Sequence, residues 1–296
     1  MPAHARTPFY IAAAPLVFVL LWSTGHIATR LGVPYIEPFR FLAIRFALST
    51  VVVALIAGAF GARWPRTVRE AGHIVAAGLL VHALYLGGVF LSIDLGLPAG
   101  SLAVVTGLQP LVTGILAGWL LSETVTARQW AGLVMGFAGV ALVVWEKAAF
   151  EGVPAGAFAA AFGALFAITI GTIYQKKFCA GADLLAGNAI QLGVSAVLLG
   201  AATLAFETGA TNWTGDLVFA IGWQVIVLSA FSFVLFYWLL RQSAASRVTG
   251  LFYLMAPSTA VQGYLLFDER FGTAGLAGMA VAVAGFWLVY RQKETA

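Results

Sequence analysis

The stretch LLSETVTARQWAGLVMGFAGVALVV, Leu120–Val144, returns in altered form as LFDERFGTAGLAGMAVAVAGFWLVY, Leu266–Tyr290. The two stretches lie 146 residues apart (266 minus 120), and eight of their 25 aligned positions are identical. The same offset relates other residues outside these stretches: Gly25 to Gly171, Ala99 to Ala245, and Arg30 to Lys176. The chain is therefore predicted to consist of two related halves, residues 1–150 and 151–296, that form one structural unit.

The composition is that of a protein that lies in a membrane. Hydrophobic residues make up 61% of the chain, charged residues only 9%, and the mean hydropathy is +0.94. Soluble globular domains carry roughly 25% charged residues. Because so few charges cannot solvate the surface of a chain of this length, most of that surface must face lipid.

Ten apolar runs are each long enough to cross a bilayer as a helix, which takes about 20 residues. They are much longer than the alternating strands of an outer-membrane barrel. The sequence thus predicts an all-α integral membrane protein with ten transmembrane helices, at residues 8–29, 39–60, 73–93, 100–121, 127–145, 155–175, 184–206, 217–240, 247–267 and 273–290.

The number of helices in each half predicts how the halves are related. Each half holds five, and because five is odd, the second half must enter the membrane from the opposite side. Inverted repeats of this kind are typical of secondary transporters, with the substrate site near mid-membrane where the halves meet. The alternative is a duplication kept only for packing, which the small residues Gly132, Gly136, Gly139, Gly278 and Gly285 would also suit.

The distribution of cationic residues predicts how the protein is oriented in the membrane. Eleven Lys and Arg residues lie on the side of the termini and four lie on the other, with Arg45 inside a helix. Since cytoplasmic loops of inner-membrane proteins carry the excess of Lys and Arg, both termini are expected to be cytoplasmic. The same topology accounts for the scattered positive charge without a nucleic-acid partner.

Several residues resemble a known family. Arg45 lies in the second helix, Pro110 and Pro257 lie midway along the fourth and ninth, and Glu123 and Glu269 end those two helices. This pattern resembles the drug/metabolite transporter superfamily, and within it the ten-helix EamA-type exporters, which include the YddG-like exporters of aromatic amino acids. One departure is that Pro110 precedes its glutamate by thirteen residues and Pro257 by twelve, which makes the pairing of residues in that helix ambiguous.

The two prolines indicate where a substrate site lies. A proline inside a helix cannot donate to the carbonyl four residues earlier, here that of Thr106 or Tyr253, and interrupted helices in both halves of a transporter often mark its site. A simple kink is the alternative. Polar and aromatic side chains near mid-span complete the predicted cavity lining: Trp22, His26, His82, Tyr85, Thr106, Gln109, Ser229, Ser232 and Tyr253.

Other features of the sequence limit the chemistry. No nucleophile with a base, no metal-ligand spacing and no cofactor motif is evident, so neither an enzyme nor a cofactor is predicted. Arg45 is expected to bond loop carbonyls or lipid headgroups near the membrane edge. All twelve Asp and Glu residues fall at span ends or in loops, whereas proton-coupled carriers usually place a carboxylate within the membrane.

These observations predict an inner-membrane exporter of amino acids and related small metabolites. Aromatic and other neutral amino acids are favoured, because the expected cavity combines aromatic faces with uncharged hydrogen-bonding groups. Alternating access as a facilitative uniporter is expected, with the lipid bilayer as surroundings and no obligate protein partner. The alternative is a multidrug or organic-cation exporter of the same fold, with or without coupling to protons.

Overall fold

The computed structural model describes residues 9–145, 151–267 and 272–290, and every regular element within them is a helix. The first half contains α1 (Phe9–Gly32), α2 (Pro38–Ala59), α3 (Val68–Asp94), α4 (Ala99–Leu120) and α5 (Ala127–Val144). The second half contains α6 (Ala155–Phe178), α7 (Leu184–Phe206), α8 (Gly215–Gln242), α9 (residues 245–267) and α10 (Thr273–Tyr290). We call the membrane side at which α1 begins the N-face, and the other side the opposite face.

Ten helical segments match the ten predicted runs. Within the described ranges, nine are continuous helices long and apolar enough to cross a membrane. The tenth, α9, is assembled from Ala245–Gly250, a 3₁₀ turn at Leu251–Leu254, and Met255–Phe267. Large apolar side chains such as Leu55 and Leu204 are exposed on the outer surface, as expected where a helix contacts lipid.

Local sequence explains where the helices begin. Thr126 caps α5 in a reciprocal capping box with Gln129, and the Asp183 carboxylate caps α7 by accepting hydrogen bonds from the backbone N–H groups of Leu185 and Ala186. Pro38 occupies the first turn of α2, where its missing N–H leaves no helix carbonyl unsatisfied.

The crossing of α5 and α10 shows that the halves are inverted. A Cβ built on Gly132 would lie 2.7 Å from the carbonyl oxygen of Gly285, and one built on Gly139 would lie 2.7 Å from that of Gly278. Because the contacts run in opposite sequence order, the two helices are antiparallel. The offset of 146 relates Gly132 to Gly278 and Gly139 to Gly285, so each glycine meets the counterpart of the other, as a two-fold axis requires. Small residues allow this close backbone approach.

The pair α2 and α7 obeys the same symmetry at both membrane faces. The Glu37 carboxylate accepts a hydrogen bond from the Gly209 N–H at 2.8 Å, and the Asp183 carboxylate accepts one from the Arg63 N–H at 3.3 Å. Adding 146 to 37 and 63 gives 183 and 209. The prediction of two inverted five-helix repeats is therefore confirmed.

Two π-helical segments are a feature that the sequence did not predict. Leu79–Leu84 interrupts α3, and Gln224–Ser232 interrupts α8. Adding 146 to the first range gives 225–230, so the two segments are counterparts. π-helical turns are rare and are frequent at functional sites, and both of these lie beside the centre of the molecule.

Candidate substrate cavity

A cavity lies between the two halves and has two lobes that share part of their lining. The first lobe has a volume of about 320 Å³ and the second about 510 Å³, within the range typical of small-molecule sites. Both lobes are lined by the same central group of residues: Trp22, His26, Tyr85, Ala99, Ala103, Thr106 and Thr259.

The cavity opens toward the opposite face of the membrane. Its lining extends from mid-membrane to the ends of the helices at that face, where Arg30, Ile93, Ala99 and Val144 lie. At mid-membrane the first lobe ends against Gln109, Pro110, Phe252 and Tyr253. Among the residues that the structure describes, none from the N-face ends of the helices lines either lobe, so both lobes are directed to the opposite face.

A cluster of aromatic rings closes the cavity on the side of the N-face. Trp22 packs on Phe233, Phe252 and Phe236, with ring centroids 4.6, 5.6 and 5.8 Å apart. Phe18 continues the cluster and stacks on Phe236 at 5.7 Å. Tilted and offset ring pairs are the favoured geometries for aromatic contacts. Trp22 belongs both to this cluster and to the walls of both lobes.

A polar closure lies beyond the aromatic cluster, at the N-face itself. The Glu123 carboxylate forms an ion pair with Lys176 Nζ at 2.7 Å and accepts hydrogen bonds from the Ala245 N–H at 2.9 and 3.1 Å. Lys176 also donates to the Ser243 carbonyl. These contacts join the end of α4 to the end of α6 and the start of α9. Glu269, the counterpart of Glu123, lies outside the described residues.

Six of the residues predicted from the sequence lie on the cavity wall: Trp22, His26, Tyr85, Thr106, Gln109 and Tyr253. Pro110 also contributes to the wall, whereas Pro257 lies in α9 three residues after the end of its 3₁₀ turn. The Gln109 amide nitrogen and the Tyr253 hydroxyl are buried and have no protein hydrogen-bond partner among the described residues. Both groups belong to residues that line the first lobe.

His82 lies elsewhere, which corrects the sequence-based placement. It is fully buried, and its Nε2 is 3.0 Å from the hydroxyl of Tyr237, which donates to the Gln191 side-chain oxygen at 2.6 Å. Gln191 in turn donates to the Gln175 side-chain oxygen at 2.8 Å. These four side chains form a network that joins α3, α8, α7 and α6, and none of them lines either lobe of the cavity.

Ser229 and Ser232 also lie behind the wall, within the π-helical segment of α8. Both are fully buried, and Ser232 donates to the Val227 carbonyl at 2.8 Å. The Ser229 hydroxyl accepts a hydrogen bond from Arg45 Nε at 3.2 Å, and its backbone carbonyl accepts one from Asn188 at 2.8 Å. These two serines therefore support the wall from behind.

Arg45 is the cavity residue whose position the sequence predicted wrongly. It does not reach loop carbonyls or the membrane edge; its side chain is 97% buried, bonds Ser229, and lines the second lobe. The sequence did indicate that Arg45 could belong to a site, because an ionisable residue inside an apolar run is a candidate functional residue. Its counterpart under the offset of 146 is Gln191, which is uncharged and lies in the His82 network.

One residue outside the spans has an altered acidity. Cys179 follows α6 at the N-face and is buried, and this burial raises the pKa of its thiol to about 11. The thiol is therefore protonated at neutral pH and reacts poorly with maleimides. Because Cys179 is the single cysteine of the chain, cysteines introduced into the cavity can be labelled selectively.

Two inverted repeats around a central cavity define a class of multi-pass membrane transporter. Comparison with known proteins gives the family: the sequence profile of the EamA-like transporter family matches residues 9–145 and, a second time, residues 155–291. The chain belongs to the EamA-like transporter family. This family lies within the drug/metabolite transporter superfamily, and the chain is thus a multi-pass membrane protein that handles small molecules in a lipid bilayer.

Individual relatives are distant. The uncharacterized transporter YvbV of Bacillus subtilis is 25% identical over 92% of this chain and 88% of its own length. A protein of Streptantibioticus cattleyicolor named as a probable terminal-alkyne amino-acid exporter is 26% identical over 94% and 93%. Both are named as transporters, consistent with a chain that is not an enzyme. A solved crystal structure with 20% identity covers 93% of this chain and 94% of its own, with a TM-score of 0.80, and shares the fold.

Proposed function

We propose that this protein is a bacterial inner-membrane transporter that exports amino acids and related small metabolites by alternating access. Aromatic and other neutral amino acids are the favoured substrates, as for the YddG-like exporters. The observation that carries the proposal is the cavity lining, in which the aromatic faces of Trp22 and Tyr85 lie beside the neutral polar groups of Thr106 and Gln109. An aromatic zwitterion needs both kinds of contact, one for its ring and the other for its polar end.

The alternative, an exporter of organic cations or drugs, is less well supported by the same cavity. No Asp or Glu among the described residues lines either lobe, whereas Arg45 lines the second. A cation in a site of low dielectric constant needs a nearby anion to offset its desolvation. Arg45 would repel it instead. The relative from Streptantibioticus cattleyicolor, named as an amino-acid exporter, also supports the first proposal.

Transport is proposed to follow the substrate gradient without coupling to protons. Each acidic residue within the described ranges lies at a helix end or in a loop: Glu37, Glu70, Asp94, Glu123, Glu151, Asp183, Glu207 and Asp216. None of them lies in the middle of a span, where protonation would compete with substrate.

Counterflow in proteoliposomes tests the substrate and the energy coupling together. Preloaded unlabelled phenylalanine should drive transient uptake of labelled phenylalanine, at the same rate with and without an imposed pH gradient. Labelled organic cations should not exchange. Exchange of the cations but of no amino acid would contradict the substrate assignment. Accumulation of amino acid that requires the pH gradient would contradict uniport.

Both termini are proposed to lie in the cytoplasm, which makes the N-face the cytoplasmic face and directs the open cavity to the periplasm. A cysteine introduced at Ala210, in the loop between α7 and α8, should then react with a membrane-impermeant maleimide on spheroplasts. One introduced at Arg66, in the loop between α2 and α3, should react only after the membrane is disrupted. The reverse pattern of labelling would show the opposite orientation.

A further inference from the structure

Arg45 is a buried cation whose hydrogen-bonding capacity is largely unused. Its Nε donates to the Ser229 hydroxyl, and its guanidinium lies 5.3 Å from the centroid of the Phe46 ring. An arginine offers five N–H donors. Within the part of the chain that the structure describes, the four N–H groups on its two terminal nitrogens have no protein acceptor.

Burying the positive charge of Arg45 costs free energy unless an anion lies beside it. An unpaired ionised group in the membrane interior or a protein interior is strongly disfavoured, and the described ranges place no carboxylate against Arg45. Its side chain instead faces the second lobe, together with Trp22, His26 and Tyr85. The open lobe is the place from which an anionic partner can reach the terminal nitrogens.

We infer that the Arg45 guanidinium binds the carboxylate group of the transported substrate. A planar guanidinium and a carboxylate can pair through two parallel hydrogen bonds. A single guanidinium balances a single negative charge, which suits a monocarboxylate better than a phosphate dianion. Arg30 also lines this lobe, near the opposite face, but it has a partner of its own.

The remaining wall suits the other end of an amino acid. With the carboxylate on Arg45, the side chain of the substrate lies toward Trp22 and Tyr85, which line both lobes. The ammonium group can approach Thr106, whose carbonyl cannot accept a hydrogen bond from Pro110. This assignment rests on the proposed function and adds to it a requirement: a substrate must carry a carboxylate.

A ligand series on the wild-type protein tests this requirement. Phenylalanine, phenylalanine amide, phenethylamine and 3-phenylpropionate share one ring and differ only in their charged groups. We expect phenylalanine and 3-phenylpropionate to raise the melting temperature of the purified protein and to compete with labelled phenylalanine in counterflow. The amide and the amine should compete about 10- to 100-fold more weakly, because charge-assisted hydrogen bonds are lost.

Arg45→Gln tests the residue itself, since glutamine is what the second half carries at the matching position, Gln191. This variant should lose most of the preference for the acid over the amide, and Arg45→Lys should retain part of it. Arg66→Gln is the matched control, because Arg66 is exposed in a loop far from the cavity, and it should keep the wild-type preference.

The outcomes separate this inference from the proposed function. Suppose that the wild-type protein exchanges amino acids and that Arg45→Gln prefers the acid over the amide as strongly as the wild type does. This result would overturn the inference and leave the proposed function standing. Wild-type protein that exchanges no amino acid would refute the proposed function, and the thermal-shift series would still decide whether carboxylates bind. If Arg45→Gln does not fold, equal binding of acid and amide to the wild type or to Arg45→Lys would overturn the inference.

Discussion

Replacing Glu123 by glutamine is expected to shift the protein away from the conformation described above, toward one that is open at the N-face. The ion pair with Lys176 and the hydrogen bonds from the Ala245 N–H join three helices at that face, and they must separate when it opens. Hydrogen bonds to charged groups contribute about 1.5–3 kcal/mol, which corresponds to a change of about 10- to 100-fold in the balance between the two conformations.

A cysteine introduced at Ala103, on the wall of both lobes, reports that balance through its rate of labelling from the opposite face. Both Glu123→Gln and Lys176→Gln should slow the labelling, and the double variant should slow it by less than the two single effects combined, because both single variants lose the same ion pair. Glu70→Gln is the control, since Glu70 lies at the N-face and accepts a local hydrogen bond from the Arg66 N–H. Unchanged labelling in Glu123→Gln and Lys176→Gln would show that this ion pair does not hold the face closed.

Replacing Trp22 by leucine is expected to reduce counterflow at low substrate concentration by about tenfold. Leucine keeps an apolar side chain against Phe233 and Phe252 but removes the indole face from both lobes. Aromatic pairs contribute about 0.5–1.5 kcal/mol beyond the burial of their surface. The upper end of this range corresponds to about a tenfold change in substrate affinity. Trp22→Ala should lose more, with a loss of thermal stability, because it also opens a space in the aromatic cluster.

Leu20→Ala is the matched control for the Trp22 variants, since Leu20 lies two residues away on the same helix and is 48% exposed toward lipid. Its transport and melting temperature should stay close to those of the wild type. If Trp22→Leu transports as well as Leu20→Ala, Trp22 serves only the packing of the closed side and does not contact the substrate.

Much of the fold was predictable because the residues that the two halves share lie where symmetry-related helices pack against each other. The glycines shared by the two quoted stretches are those at which α5 and α10 cross, and a position that tolerates only a small residue keeps its identity in both copies. The interior of α9 was harder to predict, since the break at Leu251–Leu254 comes before Pro257 rather than at it.

The site was predictable only where ordinary helix geometry applied. Trp22 and His26 are four residues apart in a regular helix and share a face, as expected. His82 and Tyr85 were expected to do the same, but the π-helical segment Leu79–Leu84 has a longer turn, which directs His82 into the network with Tyr237 while Tyr85 faces the cavity. A π-helical turn leaves no periodic signal in the sequence, so neither this rotation nor the similar placement of Ser229 could be foreseen.

The symmetry of the backbone is not matched by the charge at its centre, since Arg45 in one half corresponds to Gln191 in the other. If the halves exchange roles in the proposed alternating access and the N-face opens, symmetry would bring Gln191 to the place on the wall that Arg45 occupies here. With the proposed orientation, a substrate carboxylate would then be held weakly from the cytoplasm and tightly from the periplasm. Weak internal binding makes efflux rise in proportion to the cellular concentration of amino acid, while tight external binding lets exported amino acid occupy the carrier and slow it. The protein would thus export amino acid when the cell holds a surplus, and its export rate would fall as the exported amino acid accumulates outside.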